Sequence, residues 1–231
     1  MKKNIIITAL ILLVVVLGEL IIWNKIVIPN EVSDYDLVKA KKLVDKFYTD
    51  DYIVSGNIFK DGMTERYKIS MAFNSAKDKI REFACEDLYK EKKKDDDGIV
   101  LGNGTYCDGT VNTILYADLE KSYKNLFGKK AVLGKKTVGI FNYVEEENVF
   151  AYLSCRCGGI DLTTYIYDVK DAKLKGSDLT INVYYYEYET EEENVDTKKF
   201  IEENRDKMSI YEMDFVKEGK EFKLLDVKKV S

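Results

Sequence analysis

Leu179-Thr180-Ile181-Asn182-Val183-Tyr184-Tyr185-Tyr186-Glu187-Tyr188-Glu189 is the stretch whose period decides the fold. Its residues alternate with the two-residue period of a strand: Ile181, Val183, Tyr185 and Glu187 share one face, and Asn182, Tyr184, Tyr186 and Tyr188 the other. Both faces are partly apolar, as a sheet requires when helices cover one side and a groove or partner meets the other. Residues 163–169 are expected to pair with 179–189 across Gly176. Towards the C-terminus, residues 209–216 and 222–230 read as a closing hairpin around Glu218-Gly219. A polar connection, 191–199, leads from one to the other through a short helix at Phe200 and Ile201.

Towards the N-terminus, residues 137–144 and 149–157 flank Glu145-Glu146-Glu147-Asn148 as another hairpin. Alternation places Val149, Ala151, Leu153, Cys155 and Cys157 on one inward face. The acidic triplets 145–147 and 191–193 fall in turns, where solvated charge is expected, and neither is read as a site.

Before Gly128 the period lengthens to that of helices. Ser33 or Asp34 can cap one helix with Leu37, Ala40, Val44, Phe47 and Tyr48 on its apolar face, ending near Asp50-Asp51. Asp61 or Thr64 can cap a second, whose stripe of Ile69, Ala72, Phe73, Ala76, Ile80 and Phe83 runs through Ala84 to Cys85. A third spans 118–127, with Leu119, Tyr123 and Leu126 on one side and Gly128 as its stop. Residues 90–104 are polar and glycine-rich and read as an exposed loop. Asp95-Asp96-Asp97-Gly98 lacks the spacing of a calcium loop, and Gly102-Asn103-Gly104 is no nucleotide loop, because Cys107 stands where a third glycine belongs. The fold class expected is α+β, with two to three helices packed on a curved antiparallel sheet of about five to six strands.

Location is decided by residues 1–30. Lys2 and Lys3 precede an apolar stretch, 5–23, broken only by Glu19; as a helix it would span about 28 Å, close to the hydrocarbon thickness of a bilayer. Trp23 sits where an interfacial aromatic belongs, Pro29 ends the helix, and the lysines hold the N-terminus in the cytoplasm. Glu19 lies near the outer end, within reach of interfacial water. The rival is a signal peptide cleaved after Gly18, against which Leu20 to Trp23 continue the apolar run. The expected organisation is therefore a membrane anchor or uncleaved signal segment, 1–30, followed by one extracytoplasmic domain, 31–231. Its partner is the lipid bilayer through residues 5–23, with an envelope protein as a further one.

Composition narrows the rest. The 45% apolar and 12% aromatic content, with 17 Tyr and 10 Phe, supports a packed core rather than a disordered chain. Of the net charge of −5, residues 1–30 hold Lys2, Lys3 and Lys25 against Glu19, so the remainder holds −7. An acidic domain is repelled by phosphate backbones, and no nucleic acid is expected as partner. Abundant Lys, Ile, Asn and Tyr with one Pro fit an A+T-rich bacterial genome.

Four cysteines, Cys85, Cys107, Cys155 and Cys157, in an exported chain point to disulfides. Residues two apart on a strand have Cα atoms about 6.5 Å apart and parallel Cβ vectors, so a bond between Cys155 and Cys157 is disfavoured. The expectation is that each joins one of Cys85 and Cys107, in an order the sequence leaves open. Two sharper alternatives are a four-cysteine zinc site, for which one residue between Cys155 and Cys157 is too few, and a redox-active Cys155-Arg156-Cys157 pair, which lacks a thioredoxin-like setting.

Helices followed by an antiparallel sheet ending in Tyr211-Glu212-Met213-Asp214-Phe215-Val216-Lys217-Glu218-Gly219-Lys220-Glu221-Phe222-Lys223-Leu224-Leu225 resemble the NTF2-like (cystatin-like cone) superfamily. The resemblance covers residues 34–230 by element order, and its motif is an acidic-Gly-Lys turn before an aromatic. It implies a cone that can serve as enzyme, ligand pocket or assembly domain. A membrane helix followed by such a cone also resembles scaffold subunits of bacterial secretion and conjugation machines. The loop with Cys85 and Cys107 and the Cys-x-Cys strand depart from the family.

The function expected is a non-catalytic binding or scaffold module on the outer face of the membrane, with no cofactor. Tyrosines on the strands supply contact area, although they are equally ordinary strand and core residues. His never occurs, which removes the usual general base, and neither G-x-S-x-G nor S-x-x-K is present. No catalytic residue is singled out. The alternative is thiol-disulfide or metal chemistry at Cys155 and Cys157.

Overall fold

The computed structural model describes residues 32–48, 56–92, 94–95, 98–102, 105–155, 163–189 and 196–231. In chain order the elements are β1 (Ser33–Asp34), α1 (Leu37–Phe47), α2 (Ile58–Asp61), α3 (Glu65–Ser75), β2 (Arg81–Ala84), α4 (Cys85–Leu88), β3 (Lys94–Asp95), β4 (Gly98–Gly102) and β5 (Thr105–Cys107). They continue with β6 (Thr110–Leu115), α5 (Tyr116–Phe127), β7 (Phe141–Val144), β8 (Val149–Tyr152), β9 (Ser154–Cys155), β10 (Thr163–Lys175), β11 (Asp178–Glu189), α6 (Thr197–Asn204), β12 (Ser209–Glu218) and β13 (Glu221–Lys229). The class is α+β, helices on antiparallel sheets, as expected. The described residues hold six helices and three sheets, in the orders β1-β10-β11-β12-β13, β2-β6-β8-β7 and β3-β4-β5-β9, where two to three helices and one sheet were expected.

The largest sheet follows the expected hairpins. Strands β10 and β11 pair from Thr163↔Glu189 to Lys175↔Asp178, and β12 and β13 close around Gly219, whose φ is 67°. Leu179, Ile181 and Val183 on one face of β11 are wholly buried beneath the helices. On the far face, Tyr184 and Tyr186 pack with Phe200 and Ile201 of α6 and with Met208, so a helix of the same chain covers that part of the sheet.

Helix α1 presents Ala40, Val44 and Phe47 to the core, all fully buried, and its cap is Asp36, which accepts from the Lys39 N–H at 2.8 Å. Ser33 and Asp34, the expected caps, form β1 and pair with Leu174 and Lys173. Thr64 caps α3 as expected, accepting from the Tyr67 N–H at 3.1 Å, and the Tyr67 hydroxyl donates to the Phe47 carbonyl across the two helices. Helix α5 ends at Gly128, with φ 95°. Phe150 and Leu119 are fully buried where β8 meets α5; each such side chain stabilises by about 1.5–3 kcal/mol relative to exposure.

Three expectations are corrected. The second helical stripe does not reach Cys85: α3 stops at Ser75, a 3₁₀ turn follows at Lys77–Lys79, and Phe83 and Ala84 lie on β2, paired with Val111 and Thr110. A ladder partner distant in sequence outweighs local period there. Residues 90–104 are not wholly loop, because β3 and β4 form a small sheet with β5, and Ile99 is buried beside Cys85 and Cys107. The strand expected over 149–157 breaks at Leu153: β8 belongs to one sheet and β9 to another. Val149, Ala151 and Leu153 are buried as expected, but so is Phe150 on the opposite face.

The apolar stretch 5–23 lies outside the described residues; among the described residues no helix is long and apolar enough to cross a membrane.

Candidate functional site

The cysteines come together differently from the sequence expectation. Cys85, at the start of α4, is bonded to Cys107, at the end of β5, with Cα atoms 5.6 Å apart, so neither joins Cys155 or Cys157. The pairing was missed because β2, β4 and β5, whose ladders converge α4 on β5, were read as helix and loop. Strand β9 runs beside β5, with Cys155 opposite Thr105 in register; the Cys155 side chain and all of Cys157 lie outside what is described. Among the described residues no group of three or more His, Cys, Asp or Glu is placed to hold a metal ion.

The disulfide anchors a second, smaller core in which Leu88, Tyr89, Ile99, Val111 and Leu153 pack around it. Its outer side carries a groove of about 380 Å³ between residues 87–92 and residues 142–147. Both walls are fixed by hydrogen bonds. The Cys85 N–H donates to the Gly109 carbonyl, the Tyr89 N–H to Cys85 and the Lys92 N–H to Tyr89, each at 2.9 Å. The Tyr89 hydroxyl, from a side chain only 8% exposed, crosses to the other wall and donates to Asn142 Oδ1 at 3.0 Å, and Asn142 Nδ2 donates to Thr137 Oγ1 at 2.8 Å. Burial pushes the Tyr89 phenol well above its ordinary range, so it stays a neutral donor.

The second wall is the β7–β8 hairpin. Its turn closes with the Asn148 N–H donating to the Glu145 carbonyl at 3.1 Å; Asn148 takes the left-handed φ of 51° that Asn tolerates. The Tyr143 hydroxyl donates to Asn148 Oδ1 at 2.8 Å, and the Tyr116 N–H to the Asn148 carbonyl at 3.0 Å. The turn therefore holds Glu145, Glu146 and Glu147 outward in a fixed arrangement. With Asp87 and Glu91 on the opposite wall, the lining holds five carboxylates and two ammonium groups, Lys90 and Lys92, around an apolar floor of Leu88, Tyr89 and Val144. None of these five carboxylates enters an ion pair among the described residues. A lining of this kind attracts basic groups by Coulomb attraction and offers them apolar contact.

The tyrosines that suggested a contact surface are mostly spent on packing. Phe59 of α2 stands among Tyr185 at 4.9 Å, Tyr211 at 5.3 Å, Tyr167 at 6.1 Å and Tyr48 at 6.3 Å between ring centroids. The Asn57 amide, 4% exposed, donates to the Tyr185 hydroxyl at 2.5 Å while its oxygen caps α2. On the far face Tyr186 lies 5.4 Å from Phe200 and the Arg205 guanidinium 5.6 Å from Tyr184. The core reading of these residues holds for Tyr185 and Tyr211, both 9% exposed or less.

In sequence the acidic turn reads as solvated charge, and nothing there singles out Tyr89 or Asn142. The latter two are 53 residues apart and no local pattern links them; the one available signal was the density of carboxylates in a turn that also carries Asn. No protein-family model, curated protein or solved structure matches the chain.

Proposed function

We propose that the protein is a membrane-anchored extracytoplasmic binding or scaffold module, non-catalytic, whose N-terminal segment 5–23 holds it in the bilayer and whose groove at 87–92 and 142–147 engages a basic surface. The observation that carries this reading is the Cys85–Cys107 bond, since disulfides persist in oxidising compartments, and this one braces one wall of the groove. Lys2 and Lys3 before the apolar stretch favour the same orientation. The order of helices ahead of a closing antiparallel sheet keeps the NTF2-like cone, with its scaffold relatives, within the proposal; the second and third sheets are additions to that pattern.

A phosphatase that is active only outside the cytoplasm, fused after Ser231, tests the location. Activity is expected; an inactive fusion that becomes active when residues 1–30 are replaced by an exporting signal overturns the proposed anchor.

A second reading, thiol-disulfide exchange at Cys155 and Cys157, is favoured by one finding: Cys85 and Cys107 are bonded to each other, so the partners expected for the other two are taken. A thiolate at either position would attack a disulfide sulfur, form a mixed disulfide and release a thiolate. Exchange with a model disulfide that disappears in C155S/C157S is the expected sign, and exchange that survives the substitutions rules the reading out.

A further inference from the structure

The segment joining α5 to β7, residues 129–136, is the opposite of the groove in charge. Lys129, Lys130, Lys135 and Lys136 contribute four positive charges with no acidic residue among them, in a domain that is acidic overall. Among the described residues none of the four enters an ion pair. Between the lysine pairs stands Val132, which at 78% is the most exposed large apolar side chain among the described residues.

The loop is held rather than loose. Leu133 is 2% exposed and its carbonyl accepts from the Tyr116 hydroxyl at 2.8 Å. The Ala131 N–H donates to the Gly128 carbonyl at 3.0 Å, and the Lys129 N–H to Glu218 Oε2 at 3.2 Å. Lys135 lies over the Tyr116 ring, 4.7 Å from its centroid. A segment already ordered loses little conformational freedom on docking, so its contacts appear more fully as affinity. The facing groove is fixed too, by the disulfide on one wall and the locked turn on the other.

We infer that the groove of one copy receives the 129–136 loop of a second copy, with Val132 over the Leu88, Tyr89 and Val144 floor and the lysines against Glu145, Glu146, Glu147, Asp87 and Glu91. This rests on the binding-module reading and names its partner as the chain itself. Confinement to one membrane plane raises the effective concentration of copies for one another, so a contact that is weak in solution suffices there. Each copy carries both halves of the contact, so the assembly either closes into a ring or pair or propagates along the membrane.

The test uses the full chain in detergent micelles, with mass measured by light scattering at about 50 mM and about 500 mM salt, where screening separates charge-driven from apolar association. Wild type is expected to associate at low salt and fall towards monomer at high salt. E145K/E146K/E147K and K129E/K130E/K136E should each weaken association by at least about tenfold. Mixed together they should associate again, since the sound loop of one meets the sound groove of the other and the reversed groove meets the reversed loop with opposite charge. A chain bearing both sets of reversals should regain association, which separates a lost contact from a lost fold. A wild-type chain that stays monomeric at low salt, or association indifferent to both reversals, overturns the inference. In cells, a photoreactive residue at Lys90 separates this inference from the reading beneath it. A crosslink to a second copy, lost in K129E/K130E/K136E, supports it. A crosslink to a different envelope protein overturns it and leaves the binding module standing, and no crosslink at all overturns both.

Discussion

Replacing both bonded cysteines, C85A/C107A, removes a covalent link across 22 residues of chain. The chain-entropy relation for a loop of that size gives about 3.4 kcal/mol at 25 °C, gained by the bonded form through restriction of the unfolded ensemble. Cys85 and Cys107 are each 2% exposed, so their sulfur atoms also fill space between Leu88, Ile99 and Val111, and their loss adds a modest packing cost in the same direction. For a domain of this size each kcal/mol moves the midpoint by about 2–4 °C, so Tm should fall by about 7–14 °C. Thermal unfolding of the full chain in detergent, followed by circular dichroism, measures this, and reductant added to wild type should reproduce most of the shift. Because the bond closes the small core beneath the groove, hydrogen exchange at Tyr89 and Lys92 should accelerate more than exchange in β11. A fall below about 2 °C would refute the reasoning, since it would mean that the small core holds itself together without the link.

Two further perturbations follow from buried polar groups. Asn57→Ala removes the cap of α2 and leaves the Tyr185 hydroxyl without its donor, so it should cost about 2–3 kcal/mol in urea unfolding, against about 1 kcal/mol for Tyr185→Phe; equal costs would show that the cap contributes nothing. Burial raises the phenols of Tyr67, Tyr89 and Tyr185 above their ordinary value of 10.0. At pH values above 10 the unfolded chain loses these protons while the folded chain keeps them, so stability is intact below pH 10 and declines above it. Each such phenol steepens the decline by up to about 1.4 kcal/mol per pH unit. Ultraviolet titration should show three tyrosines ionising only as the protein unfolds; ionisation of all tyrosines near pH 10 in the folded state would contradict the burial.

What could be read from sequence and what could not divide along a physical line. Wherever an element's own period is unbroken, it was legible: α1 through Ala40, Val44 and Phe47, although its cap is Asp36 rather than Ser33 or Asp34, α5 through Leu119, Tyr123 and Leu126 with Gly128 behind them, and the hairpins turning at Gly176, Asn148 and Gly219. Wherever a distant partner decides, it was not. Residues 81–84 fit a helical stripe yet pair with β6, and residues 98–102 look like a polar loop yet enter a ladder with β5 that buries Ile99. The cysteine pairing failed for the same reason, since it depends on where those two misread strands lie. Geometric exclusion of a Cys155–Cys157 bond used only local spacing, and that argument cannot say which distant cysteine is within reach. At the candidate site the acidic turn was visible but its opposite wall was not, because the Tyr89–Asn142 hydrogen bond that joins the walls links positions with no shared pattern. The tyrosines of β11 were legible as a two-faced strand, and α6 proved to be what covers part of the second face.

The most direct measurement is alkylation of the exported chain, mapped by mass before and after reduction, with zinc assayed alongside. The expected result is a linked peptide pair containing Cys85 and Cys107, unlabelled until strong reductant is added. Ready labelling of Cys85 and Cys107 without reductant would contradict both the staple and the oxidising location built on it.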